Sequence, residues 1–288
     1  MCSRSKQGEA ILSNVTSSTS PTSFQLDRRG QELRFRSVRL AAREWVTSEY
    51  VRVRLEGEEL RGFDSPGSDD HIRIFFPAGE TSSVEELRAA PSREYTPLAW
   101  GGGDGAAGWL DLEFAIHGGA GDAGDDVGEG VAAPWAATAE IGAPAGVGGP
   151  RGSLILSGRP DAWFLAGDET AVPAMRRFAR LMDAAAVGRI LVEVPDPDRE
   201  LPIEAPTGVV VEQVHRGIRR PGTALAARLD ELGGADRPTG DVFAFVAAEQ
   251  AIVKTGRALL LERWGLDADR IVVKGYWKSG ESEYHAPH

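Results

Sequence analysis

Two short segments carry side chains whose types and spacing suit ligand chemistry. In the first, Arg93-Glu94-Tyr95-Thr96-Pro97, an arginine, an aromatic and a hydroxyl follow one another along an extended stretch, where alternate positions share a face. A guanidinium clamps a diphosphate through two parallel hydrogen bonds, a phenol ring packs on a flat ligand, and a threonine hydroxyl bonds a ring nitrogen. An ordinary strand end with an exposed arginine has the same composition, so the segment alone leaves both readings open. In the second, Gly167-Asp168-Glu169-Thr170-Ala171-Val172-Pro173-Ala174 follows the apolar run Trp163 to Ala166. A tight glycine turn, Thr170 as helix cap and Pro173 early in the helix present free backbone N–H groups to an anion. Many strand-to-helix turns are capped this way without binding anything, and that reading also stays open.

Other chemistries are excluded by what is missing. Cys2 is the only cysteine, so one chain holds no disulfide, no four-thiolate iron–sulfur cluster and no thiolate zinc site. The five histidines, His71, His117, His215, His285 and His288, lack ligand spacing, and no metal site is expected. No triad, carboxylate pair or nucleophile elbow is evident, so no catalytic acid, base or nucleophile is assigned. Redox chemistry would ride on an organic cofactor or an external metal. The net charge of −11 disfavours nucleic acid and anionic membrane, which need a basic face. With no apolar run of spanning length and no signal-peptide core in the first thirty residues, a cytoplasmic protein with small-molecule partners is expected.

At 288 residues the chain suggests two domains. Residues 1 to 31, Ser- and Thr-rich and ending on charge, read as a flexible tail. From Arg34 the period is two: Val51, Val53 and Leu55 alternate with Arg52 and Arg54, and Leu110, Leu112 and Phe114 with Asp111 and Glu113. Such half-buried antiparallel strands predict a β-barrel or sandwich over 32–157. Beyond, apolar runs at 163–166, 190–194, 209–214, 242–247 and 271–273 alternate with helical patterns at 171–182, 223–232 and 249–264. They predict an open parallel α/β sheet over 158–288, with ligands at the carboxyl ends of its strands. The Gly103 to Gly108 stretch matches G-x-G-x-x-G, but no helix follows it, and a hairpin loop is expected. The acidic stretch Gly118 to Gly130 lacks the order of a calcium loop and reads as a solvated insertion.

The motifs Arg93-x-Tyr95-Thr96, His117-Gly118, Pro134-Trp135-Ala136, Gly149-Pro150-x-Gly152-Ser153, Gly167 to Ala174 and Gly275-Tyr276-Trp277-x-x-Gly280 occur in an order that resembles the siderophore-interacting protein family. The resemblance implies a ferredoxin-reductase-like flavoprotein: an FAD-binding antiparallel β-barrel followed by an open parallel α/β domain for NAD(P)H. Its activity would be NAD(P)H-dependent reduction of a ferric siderophore, with hydride passing to FAD and single electrons passing on to iron. Arg93, Tyr95 and Thr96 would hold FAD, with His117, Gly118, Trp135, Ala136, Gly152 and Ser153 lining the rest of its site. Gly167, Asp168, Thr170, Pro173 and Glu249 would receive the nicotinamide dinucleotide, and Tyr276 and Trp277 would lie at the flavin–nicotinamide junction. A flavin-loaded siderophore-binding protein, or a ferredoxin-dependent reductase, is the alternative.

The chain departs from the family pattern at Leu98, Ala133, Ala143, Ala248 and Lys278, where Arg, Gly, Asp, Gly and Arg are customary. Only four of its 32 basic residues are lysines, and Lys254, Lys274 and Lys278 fall near the end, predicting a basic rim for an anionic ferric chelate. Asp196 and Asp198 follow the second α/β strand and oppose a 2′-phosphate, whereas Arg199 favours one. A monomer is the expected state.

Overall fold

The computed structural model describes residues 24–102, 107–116 and 130–281. Strand β1 (Phe24–Gly30) opens the described chain. An antiparallel sheet of seven strands follows: β2 (Phe35–Thr47), β3 (Tyr50–Gly57), β4 (Ile72–Phe75), β5 (Ser92–Tyr95), β6 (Ala99–Gly101), β7 (Gly108–Ala115) and β8 (Pro144–Gly148), with the short helices α1 (Val84–Arg88) and α2 (Ala132–Thr138). The strand order is β5-β4-β8-β2-β3-β7-β6. Consecutive strands β5 and β6 thus lie at opposite edges, joined only by Thr96-Pro97-Leu98. A flat sheet would hold its outer strands roughly 29 Å apart, whereas this link spans at most about 14 Å. The sheet is therefore curled, and the candidate flavin segment is its seam. Val51, Val53, Leu55, Leu110 and Leu112 fill the interior with no exposed surface, as the period-two alternation requires.

The second sheet is built from β10 (Ala162–Gly167), β11 (Gly188–Val194), β12 (Val209–His215), β13 (Val242–Glu249) and β14 (Ile271–Trp277), all parallel, after β9 (Gly152–Gly158) has paired elsewhere. Its order is β12-β11-β10-β13-β14, so the direction of winding reverses between β10 and β13, where an open α/β sheet offers its ligand crevice. Helix α3 (Val172–Ala179) packs on one face with the cluster of Phe178, Phe243 and Phe245. The helices α4 (Thr223–Glu231) and α5 (Ile252–Arg257) cover the other with Leu225, Ile252 and Leu259. The proline-rich stretch between β11 and β12 holds only a 3-10 turn at Pro197–Arg199, since proline cannot continue a helix ladder. No helix among the described residues is long and apolar enough to cross a membrane.

One boundary expectation gives way. The segment read as tail through residue 31 becomes, at Phe24–Gly30, a strand paired antiparallel along all of β9, from Phe24 opposite Gly158 to Gly30 opposite Gly152. Phe24 is buried in the core of the parallel sheet, edge-on to Phe243 at 5.9 Å and beneath the Arg270 guanidinium. The pairing residues lie more than a hundred positions away, so no local period announces it. Truncating that anchor, Phe24→Ala, should lower unfolding stability by about 3–4 kcal/mol; a loss below about 1 kcal/mol in denaturant titration would show that the ribbon is peripheral.

Candidate functional site

The two sheets meet through helix α3 and its C-cap, which turn Arg176, Arg177 and Arg180 toward the barrel. Arg176 donates to both oxygens of the buried Glu113 of β7, at 2.5 and 2.6 Å. Glu113 also accepts from Arg52 at 2.7 Å and from the Tyr50 hydroxyl at 3.1 Å. Arg177, buried over the Trp100 ring, donates to the hydroxyl and carbonyl of Ser65 and to the Pro97 carbonyl. Burial pulls its pKa down to about 10 against the pull of Asp70 and Asp69. Arg180 reaches the Leu98 carbonyl at 2.8 Å. Leu98 itself, where arginine is the customary residue, is buried. These contacts clamp the three-residue seam directly onto the helix that follows the Gly167 turn.

At that turn Asp168, fully buried, is the organising group. Its Oδ1 accepts from the Thr170 N–H at 3.0 Å and the Thr170 hydroxyl at 2.5 Å; its Oδ2 accepts from the Glu249 N–H at 3.1 Å and the Trp277 indole at 2.8 Å. Asp168, Thr170, Glu249 and Trp277 are thus brought together at the carboxyl ends of β10, β13 and β14. Two expectations change here. The cap of the turn is Asp168 rather than Thr170, and its carboxylate engages an N–H group expected to be free for a phosphate. Gly167 is small for an internal reason: a Cβ there would stand 2.5 Å from the Ala171 side chain and 2.7 Å from the Ala247 carbonyl. It lets helix and sheet approach, and Pro173 is buried in the same packing.

On the barrel side, Tyr95 packs at 4.2 Å from Phe114, and Phe76 carries Trp135 at 5.2 Å. Burial pushes the Tyr95 hydroxyl up. Arg93, half-buried, donates to its neighbour's carbonyl at 2.7 Å. Ala136 is wholly inside the barrel core, a packing position on α2. Ser153, next to Gly152 on β9, donates to Asp70 at 2.7 Å and accepts from Gln31 at 2.5 Å. His117 and Gly118 lie outside the described residues. Thr96 is buried at the seam, where it meets Tyr276 from β14. The Tyr276 hydroxyl is buried and faces the Thr96 side chain. Between them the two chains of residues supply hydroxyls, an arginine and aromatic surfaces, the donor set an isoalloxazine dinucleotide requires, so the residues fit FAD.

The three lysines do not form one rim. Lys274 bonds Asp69 of the barrel at 2.5 Å from the α3 face of the sheet, Lys278 pairs with Glu281, and Lys254 is exposed on α5, on the opposite face. Sequence reasoning missed Glu113, Asp70, Glu193 and the pair Glu169–Arg216. Arg216 lies 2.6 Å from Glu169 and 3.9 Å from Glu193. Glu193 accepts from the Gly222 and Leu225 N–H groups, both at 2.6 Å, capping α4; burial raises its pKa. Among the described residues no group of three His, Cys, Asp or Glu could hold a metal.

Comparison with known proteins agrees with this architecture. The family descriptions "Siderophore-interacting FAD-binding domain" and "Siderophore-interacting protein" match residues 39–154 and 160–280. The chain is 30% identical over 261 residues to the NADPH-dependent ferric-chelate reductase of Escherichia coli, covering 85% of this chain and 94% of that protein. It is 29% identical to the ferric vibriobactin reductase of Vibrio cholerae, covering 84% and 90%. The crystal structure of a siderophore utilization protein from T. fusca superposes with a TM-score of 0.76 at 29% identity, covering 91% of this chain and 99% of that one. The chain belongs to the siderophore-interacting protein family.

Burial beside Asp168 raises Glu169 to about 7, with Arg216 opposing. A carboxyl raised on folding stabilises the protein fully below its unfolded pKa, near 4.5, and loses that contribution as pH rises through about 7. Glu169→Gln should therefore flatten the fall in stability between pH 5.5 and 8 by about 1–3 kcal/mol relative to wild type. Parallel denaturant titrations across that range check it, and identical slopes would disprove the assignment.

Proposed function

We propose that the chain reduces the iron of ferric siderophores with electrons from NAD(P)H, through FAD held by residues of the curled sheet. The observation that carries this reading is the meeting of Thr96, from the curled sheet, with Tyr276, from the parallel sheet, at a seam clamped by Arg177 and Arg180. The relatives named as ferric-chelate and ferric vibriobactin reductases support it. FAD, when bound, supplies the exchange of a hydride from the nicotinamide for single electrons to the iron.

The task of the chain's own residues is positioning. The unit 32–157 offers the Thr96 hydroxyl to the flavin ring system, Arg93 to the phosphates, and Tyr95, Trp135, Gly152 and Ser153 as walls; His117 and Gly118 complete the set. The unit 158–288 receives the nicotinamide dinucleotide beside Asp168, Glu249 and Trp277, with Tyr276 at the junction. Iron reduced in this way binds hard oxygen ligands more weakly, and the metal is released. No proton donor or acceptor of the protein is needed. Lys274 serves the interface through Asp69 rather than the chelate, and the substrate meets the protein where seam and carboxyl edge adjoin. A cytoplasmic monomer, with no nucleic-acid or membrane partner, fits the acidic net charge of −11.

Anaerobic mixing with NADPH and with NADH should bleach the flavin absorbance within seconds, and a ferric siderophore should then restore it with appearance of ferrous iron. Failure of both nucleotides to bleach would favour a flavin-loaded binding protein or a ferredoxin-fed enzyme. Thr96→Val, which keeps shape and deletes the hydroxyl, should weaken FAD binding by about 1 kcal/mol, and Arg93→Ala by about 1.5–3 kcal/mol. Unchanged flavin affinity by fluorescence titration in either variant would remove that residue from the site.

A further inference from the structure

Neither helix start at the centre of the carboxyl edge of the parallel sheet is fully open to a phosphate. The turn before α3 has Asp168 on the Thr170 N–H, and α4 has Glu193 on the N–H groups of Gly222 and Leu225. Asp168, Glu169 and Glu193 make this stretch acidic, and Arg216 is buried against the last two. Arg199, the cation expected to favour a 2′-phosphate, is committed to Glu49 of the barrel at 2.9 Å. A dinucleotide lying across this edge must find its phosphate-binding cations elsewhere.

The loop from β12 to α4 supplies them. His215-Arg216-Gly217-Ile218-Arg219-Arg220-Pro221-Gly222 leaves the outermost strand and returns over the sheet until Gly222 faces Glu249, whose Cβ would lie 3.3 Å from a Cβ at Gly222. Its shape is held by left-handed turns at Gly217 (φ 60°) and Gly222 (φ 83°) and by the Arg216 N–H to Val194, Gly217 N–H to Pro195 and Thr223 N–H to Arg220 hydrogen bonds. Arg216 ties it down from below. Arg219 and Arg220 stand exposed at its crest, with no ion pair or hydrogen bond to either guanidinium among the described residues, and between them and the anchor Ile218 is fully exposed. Two unpartnered guanidiniums on a fixed loop, beside an apolar side chain that packs on nothing, match a phosphorylated nucleoside: the fork geometry suits a phosphate dianion, and isoleucine suits a purine face.

Position decides which phosphate. The nicotinamide end belongs at the crevice between β10 and β13, next to Thr96 and Tyr276, and β12 lies two strands outward. The adenosine end of an extended dinucleotide reaches that far. Resting on the nicotinamide-dependent reading above, we propose that Arg219 and Arg220, with Ile218 under the adenine, bind the 2′-phosphoadenosine end of NADPH and make it the preferred donor.

Calorimetric titration of the purified, FAD-loaded chain with adenosine 2′,5′-bisphosphate and with 5′-AMP tests this without turnover. The bisphosphate should bind at least tenfold more tightly, on the scale of one or two charged hydrogen bonds. In the double variant Arg219→Ala/Arg220→Ala it should fall to the AMP level, with AMP affinity and thermal stability unchanged, and the double lysine variant should recover part of the difference. Equal binding of the two nucleotides by wild type, no binding of the bisphosphate, or a double alanine variant that keeps the preference would overturn the assignment. Bleaching of wild-type flavin by NADH or NADPH is read separately: if bleaching occurs and the preference does not, the loop assignment fails while the reductase stands.

Discussion

A carboxylate buried between two domains must be neutralised, and Glu113 is the group on which the arrangement of this molecule depends. It stands on a barrel strand, only 4% exposed, in contact with Arg52 of its own sheet and Arg176 of the other domain. Removing Arg176 would leave the buried Glu113 with Arg52 alone among the described residues and take away its cation from the other domain, which costs more than never having buried the carboxylate. The pair therefore sets where α3 sits, and α3 then sets the rest. Arg177 lies on the same helix and Arg180 caps its C-terminal end, and they close on the carbonyls of Pro97 and Leu98. The seam of the curled sheet and the strand end carrying Asp168 are held by one rigid element.

Such a clamp matters for electron transfer, since the residues that would meet a flavin and those that would meet a nicotinamide come from different sheets. Thr96 belongs to the link between β5 and β6, and Tyr276 to the last strand of the parallel sheet. Neither is placed by its own neighbours in sequence. The ribbon of β1 and β9 strengthens the same joint, because the strand that leaves the barrel toward the second sheet is paired along its length with the start of the described chain, and Phe24 is driven into the second core.

The carboxyl edge shows a different economy of charge. Buried carboxylates shape its turns: Asp168 joins three chain segments, and Glu193 caps α4. Burial, with Asp168 adding to it, raises Glu169 to about 7 against the pull of Arg216. Rigidity is obtained from groups that, in many α/β sheets, leave the helix N-terminus free for phosphate. Anion recognition is thereby shifted outward, to exposed arginines on the crossover loop.

The sequence by itself determined the two kinds of sheet, every strand of the second one to within a few residues, and the order of motifs that marks the family. Alternation of Val51, Arg52, Val53 and Arg54, or the apolar run Val242 to Ala247, is a property of neighbouring residues and survives any arrangement of the remainder. It also singled out Asp168, Thr170, Glu249, Trp277, Thr96 and Tyr276, which do converge. What it left undecided was cover. The alternation Leu110, Asp111, Leu112, Glu113 reads as a strand with one wet face, yet Glu113 is buried, because the helix over it carries Arg176 from 63 positions away. Partners more than a hundred positions away hid the strand at Phe24–Gly30, and the approach of Ala247 from a neighbouring strand hid part of the internal reason for Gly167. Period is written in successive side chains, whereas burial of a polar face depends on which distant surface arrives to pair with it, and only the tertiary structure decides that.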